Sequence, residues 1–389
     1  MSNTLTPLVH KIVARGLTVL RESALLPMLV NQEYSLAPKQ KGQTIDVPVS
    51  KRSSTYPISP SNVDKAAEDT TIEYVPVTLD QWIGADFYLT DAERDRIDKD
   101  EYFLPATIQE KIRALANAVN AHILSKYWKI YGYVGTAGTT PFSNATDRTA
   151  AKDGAMLAAK LDAQLAPRTG RVALINPDAE AEALALPYFA HAEKSGDTNV
   201  ITAATLGQKF GLQWFVESAI GTHTAGAPGT TAAVDGAHTK SPNNLTATLD
   251  VKGMTASTGT YKRGDIITIA GHTQTYTVLA DATASAAGKV AGLQIAPGLQ
   301  VDLAGDDVIS IKASHVVNLG FTRECFALVT APFETDNLGT TEIASVRDPV
   351  TGLVLRLEVK RQYKQTKWEF DILFGAACVR PEFGVRLAG

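Results

Sequence analysis

The sequence predicts an α+β chain with a small all-β domain inserted into it, and three observations carry that expectation. Apolar residues recur at helical spacing near the N-terminus and again from Ile108 to Tyr127. Alternating or continuous apolar runs such as TIDVPV, RVALINP and WEFDILFGAACV read as strands. From 222 to 315 the composition shifts to Thr, Ala and Gly, with many short strand-like runs between Gly-rich turns.

The totals suit a large globular chain. It has 389 residues, 44% of them hydrophobic and 20% charged, with a formal net charge of −4. That length suffices for one large core or for two or three domains. A charge balance near neutral, without a long block of one sign, argues against a chain that grips nucleic acid through a basic face. Charged residues interrupt the N-terminal apolar residues, so no signal peptide is expected, and no window reaches the length of a membrane span. Cys325 and Cys378 sit in apolar runs far apart in sequence and are read as buried thiols rather than a disulfide.

Taken in order, Leu5, Leu8, Val9, Ile12, Val13, Leu17 and Leu20 predict an amphipathic helix, with Thr6 placed to cap it and Pro7 in its first turn. Lys11, Arg15 and Arg21 make its polar face basic. The helix either packs on its own domain or lies on a neighbour, and spacing alone does not separate the two. Next, KGQTIDVPVSKR and EYVPVTLDQWIGADFYL read as two strands flanking a polar tip with Lys51, Arg52, Asp64, Lys65, Glu68 and Asp69. Two strands alone are marginal in water, so a hairpin this long needs a partner surface or must fold back on its own sheet. Pro105 opens a helix expected to run about 25 residues, to the glycines at 132, 135 and 138.

From 150 to 220 a helix, the strand RVALINP, the helix DAEAEALALPYF and the strand FGLQWFVESAI read as α/β. The inserted region then supplies NLTATLDVKGM, GDIITIAG, TQTYTVLADA, AGLQIAP and DDVISIKA as strands, with Lys262, Arg263, Gly264 and Asp265 marking a turn. Insertions enter at exposed loops. After it, HVVNLGFTRECFALVTAPFE reads as one buried strand, and turns at DPVTG and YKQTK set off two long strands of a closing antiparallel sheet.

No motif carries catalysis or cofactor binding. There is no GxGxxG after a strand, no GxxxxGK[ST], no HExxH and no GxSxG. His191 and Glu193 form an HxE without the PCxxC partner of a deaminase. The acidic run Asp91, Glu93, Asp95, Asp98 and Asp100 lacks the glycine of a calcium loop and is mixed with Arg94, Arg96 and Lys99, so it reads as a solvated charged turn. No catalytic residue, metal ligand or cofactor is expected. A hydrolase would need a site dispersed along the chain.

The order of elements resembles the Hong-Kong-ninety-seven capsid fold of tailed-phage major capsid proteins, in the coat-protein branch of short-tailed phages with an inserted β-barrel. KGQTIDVPV is similar to the ascending strand of that fold's extended E-loop, and LPATIQEKIRALANAVNAHILSKYW to the spine helix of its peripheral domain. LGFTRECFALVTAPFE resembles the strand in which an aromatic precedes a proline, and EFDILFGAACVRPEFGVRL, with Asp371 and Gly375, the C-terminal strand. The resemblance implies an N-terminal arm at 1–39, the E-loop at 40–90, a peripheral domain at 91–149, and an axial domain at 150–221. The β insertion then occupies 222–315, and 316–389 returns to the axial and peripheral domains.

It also implies a function: self-assembly into hexamers and pentamers of an icosahedral head around a scaffolding protein, with a portal protein and enclosed double-stranded DNA, in the virion after assembly in the host cytoplasm. Lys51, Arg52, Asp64, Lys65, Glu68 and Asp69 become candidate inter-subunit contacts, and Lys11, Arg15 and Arg21 candidate contacts with a scaffold or neighbour. Some members crosslink an E-loop lysine; Lys51 and Lys65 lie in that element, but the inserted-domain branch is not expected to do so. Two other readings remain: an encapsulin-like compartment shell, and a surface binding module built on the β insertion. Tyr261 and Tyr276 are the large aromatics such a module could bare.

Overall fold

The computed structural model describes residues 6–33, 41–50, 72–99, 105–143, 147–186, 189, 206–229, 231–242, 244–331, 341–362 and 365–389. The chain divides into two compact units. The first comprises Met1–Ile45, Pro76–Lys126 and Arg323–Cys378; the second comprises Asp46–Val75, Tyr127–Thr322 and Val379–Gly389.

The first unit packs helices on one face of an antiparallel sheet. Its longest strand, Gln365–Cys378, pairs with Gln81–Thr90, Val354–Gln362 and Phe326–Thr330, and Thr341–Arg347 adds to Val354–Gln362. Period-two alternation puts Phe87, Leu89, Leu357, Val359, Trp368 and Phe370 out of water. The long helix Ala106–Ser125 lies on the sheet through strands Gln81–Thr90 and Gln365–Cys378, and buries Ile108, Ile112, Leu115, Val119 and Ile123. It is shorter than the sequence predicts: a 3-10 turn, Lys126–Lys129, ends it, and Gly132–Gly135 is already a strand. The N-terminal helix Thr6–Ser23 packs on the long helix and on strands 341–347 and 354–362 of the same unit, burying Ile12, Val13, Leu17 and Leu20. Asn120 ties the two helices, donating from Nδ2 to the Ser23 carbonyl (3.1 Å) and accepting from the Leu26 N–H (3.3 Å).

The expected charged turn after residue 90 is instead a helix, Asp91–Lys99. Thr90 and Glu93 form a capping box: the Thr90 N–H and hydroxyl both donate to Glu93 Oε2 at 2.9 Å, and the Glu93 N–H donates back to Thr90 Oγ1. Ile97 anchors this helix in the core. The strand read through HVVNLGFTRECFALVTAPFE is also divided. The turn Arg323–Cys325 separates His315–Thr322 from Phe326–Thr330, and the two belong to different sheets.

The second unit holds a mixed sheet in the order Gly132–Gly135, Gly384–Ala388, His315–Thr322, Arg171–Ile175, Leu212–Val216, Gln208–Lys209. The first and last long pairings, 384–388 with 132–135 and 171–175 with 212–216, are parallel. Helices Asp147–Ala163 and Pro177–Ala185 cover it through Leu157, Leu161, Ala179 and Ala183. Asn176 caps the second helix, accepting from Ala179 N–H, with Pro177 in its first turn.

The strands read in the insertion form their own sheet together with Ala233–Val234, which was not read, in the order Ile309–Ile311, Ile266–Ile269, Thr275–Val278, Val290–Ala296, Ala247–Lys252, Ala233–Val234. Its two ends meet: Val234 N–H donates to Asp307 O (3.0 Å) and Ile309 N–H to Ala232 O (2.9 Å), which closes the sheet as a small barrel. Leu249, Val251, Ile267, Ile269, Tyr276, Val278, Leu293 and Ile295 fill it.

Candidate functional site

The first hairpin strand read from the sequence is Thr44–Ser50; the run read as the second divides into Ile72–Thr78, which pairs with it as a two-stranded ribbon, and Gln81–Thr90, which belongs to the sheet of the first unit. The tip residues Lys51, Arg52, Asp64, Lys65, Glu68 and Asp69 lie outside the described residues. The ribbon's base is pinned by hydrogen bonds from Gly42 N–H to Leu79 O (2.9 Å) and from Leu79 N–H to Gln43 O (3.0 Å). Here Gly375 explains itself. A Cβ at 375 would overlap the carbonyl oxygen of Thr78 and stand 3.1 Å from Leu79 Cα, so only glycine lets strand 365–378 pass beneath the ribbon base. Farther out, Val47, Val49, Val75 and Val77 are buried, whereas Ile72 and Tyr74 are 52% and 61% exposed. Two exposed apolar side chains on a two-stranded ribbon present a surface that the ribbon alone cannot cover.

Of the basic residues on the N-terminal helix, Lys11 is exposed. Arg15 donates to Ile97 O (3.3 Å). Arg21 pairs with the buried Asp348, Nε to Oδ1 at 2.7 Å. Burial alone would raise the Asp348 carboxyl, but hydrogen bonds from Arg21 and Thr351 hold it below the usual carboxylate range. Arg15 and Arg21 therefore hold contacts inside their own unit, the first of the two readings left open by helical spacing.

The sheet face opposite the helices of the first unit is polar with aromatic rims. Lys367 stands between Glu369 (3.2 Å) and Asp86 (3.6 Å). Asp371, flagged in the C-terminal motif, is nearly buried. It accepts from Arg356 Nε (2.8 Å), from Arg356 Nη2 and from Trp82 Nε1 (3.0 Å). The hydrogen bonds to Asp371 raise the Arg356 guanidinium above its ordinary value. Trp82 and Tyr88 stay about half exposed on this face.

A buried polar cluster joins the barrel to the mixed sheet in the second unit. Tyr127 Oη and His223 Nδ1 are 2.9 Å apart, and His223 Nε2 lies 2.8 Å from Asp265 Oδ1. Burial raises the Tyr127 phenol above its ordinary value, so at neutral pH it keeps its proton. Phenol, imidazole and carboxyl group form one continuous hydrogen-bonded chain. Asp265 also accepts from Lys262 N–H (2.6 Å) and Gly226 N–H (3.2 Å), so the expected turn at 262–265 is there, built around a buried carboxylate. Gly264, at φ +95°, presents its carbonyl to Arg386 Nη1 (2.7 Å). Arg386 is fully buried; its Nη2 donates to Trp128 O and Thr277 Oγ1, both at 3.2 Å, and its guanidinium lies 5.0 Å from the Tyr127 ring centre. Thr275 and Thr277 donate to Tyr131 O and Trp128 O at 2.6 and 2.7 Å. The cluster spends its hydrogen bonds on tying strands 266–269 and 275–278 to the rest of the unit. It resembles a joint more than a reaction centre.

Tyr261 and Tyr276 are both buried inside the barrel. Among the described residues no group of three His, Cys, Asp or Glu could hold a metal ion, and no helix is long and apolar enough to cross a membrane. His191 and Glu193 lie outside the described residues.

Residues 73–228 match the model of a family described as phage capsid protein. No curated protein sequence matches the chain. Among solved structures, a protein of Mycobacterium phage Che8 is 15% identical, with 92% of this chain and 88% of that one covered and a TM-score of 0.46. The capsid of cyanophage P-SCSP1u is 10% identical over 92% and 85%, at 0.47. A virus-like particle from Pyrococcus furiosus is 11% identical over 97% and 98%, at 0.43. All three scores lie below 0.5.

Proposed function

We infer that this chain is a major capsid protein of a tailed bacteriophage, with a Hong-Kong-ninety-seven-type fold, and that copies of it build an icosahedral head. The observation that carries this reading is the phage-capsid family match across 73–228. That span takes in most of the second ribbon strand, the long helix, and the helices and strands of the second unit up to the start of the barrel. Of the stretches likened to the capsid fold, it covers the spine-helix stretch LPATIQEKIRALANAVNAHILSKYW.

The physical picture agrees with a protein that works by association. The ribbon exposes Ile72 and Tyr74 at the end farther from its pinned base, and a second copy of the chain supplies the missing cover. Subunits meet as hexamers and pentamers, a scaffolding protein guides them, a portal protein occupies one vertex, and double-stranded DNA fills the shell without sequence-specific contacts. Lys51, Arg52, Asp64, Lys65, Glu68 and Asp69 pair with charges on adjacent subunits. Single exposed pairs contribute only ~0–1 kcal/mol, so repetition around the shell supplies the effect. Lys11 extends from the N-terminal helix toward a scaffold or neighbour, and the Arg15 and Arg21 contacts hold that helix in place.

The family matched is a structural one, and the buried Tyr127–His223–Asp265 chain needs no substrate to be satisfied. A binding module is disfavoured because Tyr261 and Tyr276 point into the barrel core rather than to its surface. The phage-capsid match likewise favours a phage head over a compartment shell. Reversing the charges of Lys51, Arg52, Glu68 and Asp69 together tests the role of the ribbon tip. The expected result is lost assembly with an unchanged circular dichroism spectrum; unaltered assembly would remove the tip from the interface.

A further inference from the structure

Cys325 and Cys378 are 53 positions apart in sequence, yet their sulfurs stand 4.0 Å apart. Both are reduced, at 0% and 1% exposure. Cys325 closes the turn Arg323–Cys325, Cys378 ends the long strand, and the register places Phe326 opposite Cys378. The placement along the chain is informative. Arg323–Cys378 is one continuous contribution to the first unit, and the residues on either side of it belong to the second. The two thiols therefore stand at the two ends of that segment.

We propose that Cys325 and Cys378 form an oxidation site, at which hydrogen peroxide closes an intramolecular disulfide and turns the segment between them into a covalent ring. A disulfide needs the sulfurs at about 2.05 Å, so the pair must approach by roughly 2 Å, a movement within reach of side-chain rotation. In the first step one thiolate attacks the O–O bond, takes one oxygen as a sulfenic acid and releases hydroxide. In the second, the other thiolate attacks that sulfur and expels the oxygen as water. The two sulfurs lose two electrons, the peroxide is reduced to two waters, and both thiol protons end in water. Burial selects the oxidant: a small hydroperoxide reaches sulfurs that a bulky disulfide reaches only after local opening.

The ring would restrain the unfolded chain over a long loop and keep the strands between the two cysteines from peeling away from their sheet. Its use, as distinct from its chemistry, rests on the capsid reading: subunits fold with reduced thiols inside a cell, and a released head meets oxidants outside it.

Hydrogen peroxide titration of the unassembled chain and of shells, each followed by denaturation, alkylation and peptide mass analysis, tests the proposal. Expected are the loss of two hydrogens, no alkylatable thiol and a linked peptide joining Cys325 to Cys378. A rise in the thermal unfolding midpoint that a phosphine reductant abolishes should accompany them. Cys325→Ser and Cys378→Ser should each lose the linked peptide and the rise. Two thiols still alkylatable after a dose that oxidises the unfolded chain would overturn it, as would sulfinic acids without the linked peptide. The unassembled chain reports on the chemistry whether or not shells form, so failure here is distinct from failure of the capsid reading.

Discussion

Gly375 passes so close beneath Thr78 that a single added methyl group would overlap the Thr78 carbonyl oxygen. Thr78 is the last residue of the ribbon's second strand, and Gly375 lies near the end of the longest strand of the sheet. Within the first unit, the position of the ribbon base is therefore set by backbone meeting backbone, where no rotamer change can relieve a clash. Gly375→Ala should cost about 1–3 kcal/mol of stability and displace the ribbon base. Denaturant unfolding measures the first, and assembly yield at matched folded concentration the second. A variant that folds and assembles like the parent would show that the base is not held there.

Asp371 is the anchor of the polar sheet face. Asp371→Asn removes the main charge partner of the nearly buried Arg356 guanidinium, leaving Glu358 at 3.8 Å, and weakens the hydrogen bond from Trp82. Removing one member of a buried pair costs roughly 3 kcal/mol or more. Replacing both partners, as Arg356→Met with Asp371→Leu, should recover much of the loss in a double-mutant cycle. Equal and additive losses would mean that the two side chains do not act as a pair.

His315 gives the second unit a pH dependence. Its Nδ1–H donates to Ala313 O at 2.8 Å, and its Nε2 is buried without a hydrogen-bond partner. Burial, helped by Arg386 and His223 and opposed by the Ala313 hydrogen bond and Asp265, pushes its pKa down from 6.5 to about 4. Between those values the unfolded chain binds a proton that the folded chain refuses. Stability is therefore full above about pH 6.5 and falls as pH drops toward 4, by up to about 3 kcal/mol. His315→Asn keeps a donor for Ala313 and does not titrate, so its stability curve should lose that slope. An unchanged slope would assign the effect to other groups.

Arg386 should hold the barrel in place. Arg386→Leu deprives Gly264 O, Trp128 O and Thr277 Oγ1 of a donor at once. The expected outcome is faster limited proteolysis at the two connections of the barrel, near 221–226 and 312–315, with the excised barrel surviving. Indiscriminate cleavage throughout the chain would instead mark Arg386 as a general core residue.

These relationships show which parts of the molecule a sequence can reveal. The barrel strands read from the sequence were legible because short apolar runs stand between Gly-rich turns, as in Ala247–Lys252 and Ile266–Ile269. The helix Asp91–Lys99 was hidden because its charges surround one buried apolar residue, Ile97; the readable signal was the T-x-x-E spacing of Thr90 and Glu93. Asp265 was visible as part of a turn, but its partner His223 lies 42 positions away, and no local pattern joins them. Asp371 and Gly375 stood out through a family resemblance, and only their contacts with Arg356, Trp82 and Thr78 say what they do.

Closure into shells can be seen by cryo-electron microscopy of the expressed chain, with and without a co-expressed scaffold. Closed icosahedral particles are expected, with the ribbon carrying Ile72 and Tyr74 covered by a neighbouring subunit. A folded monomer that forms no shell or sheet under any assembly condition would contradict the capsid reading.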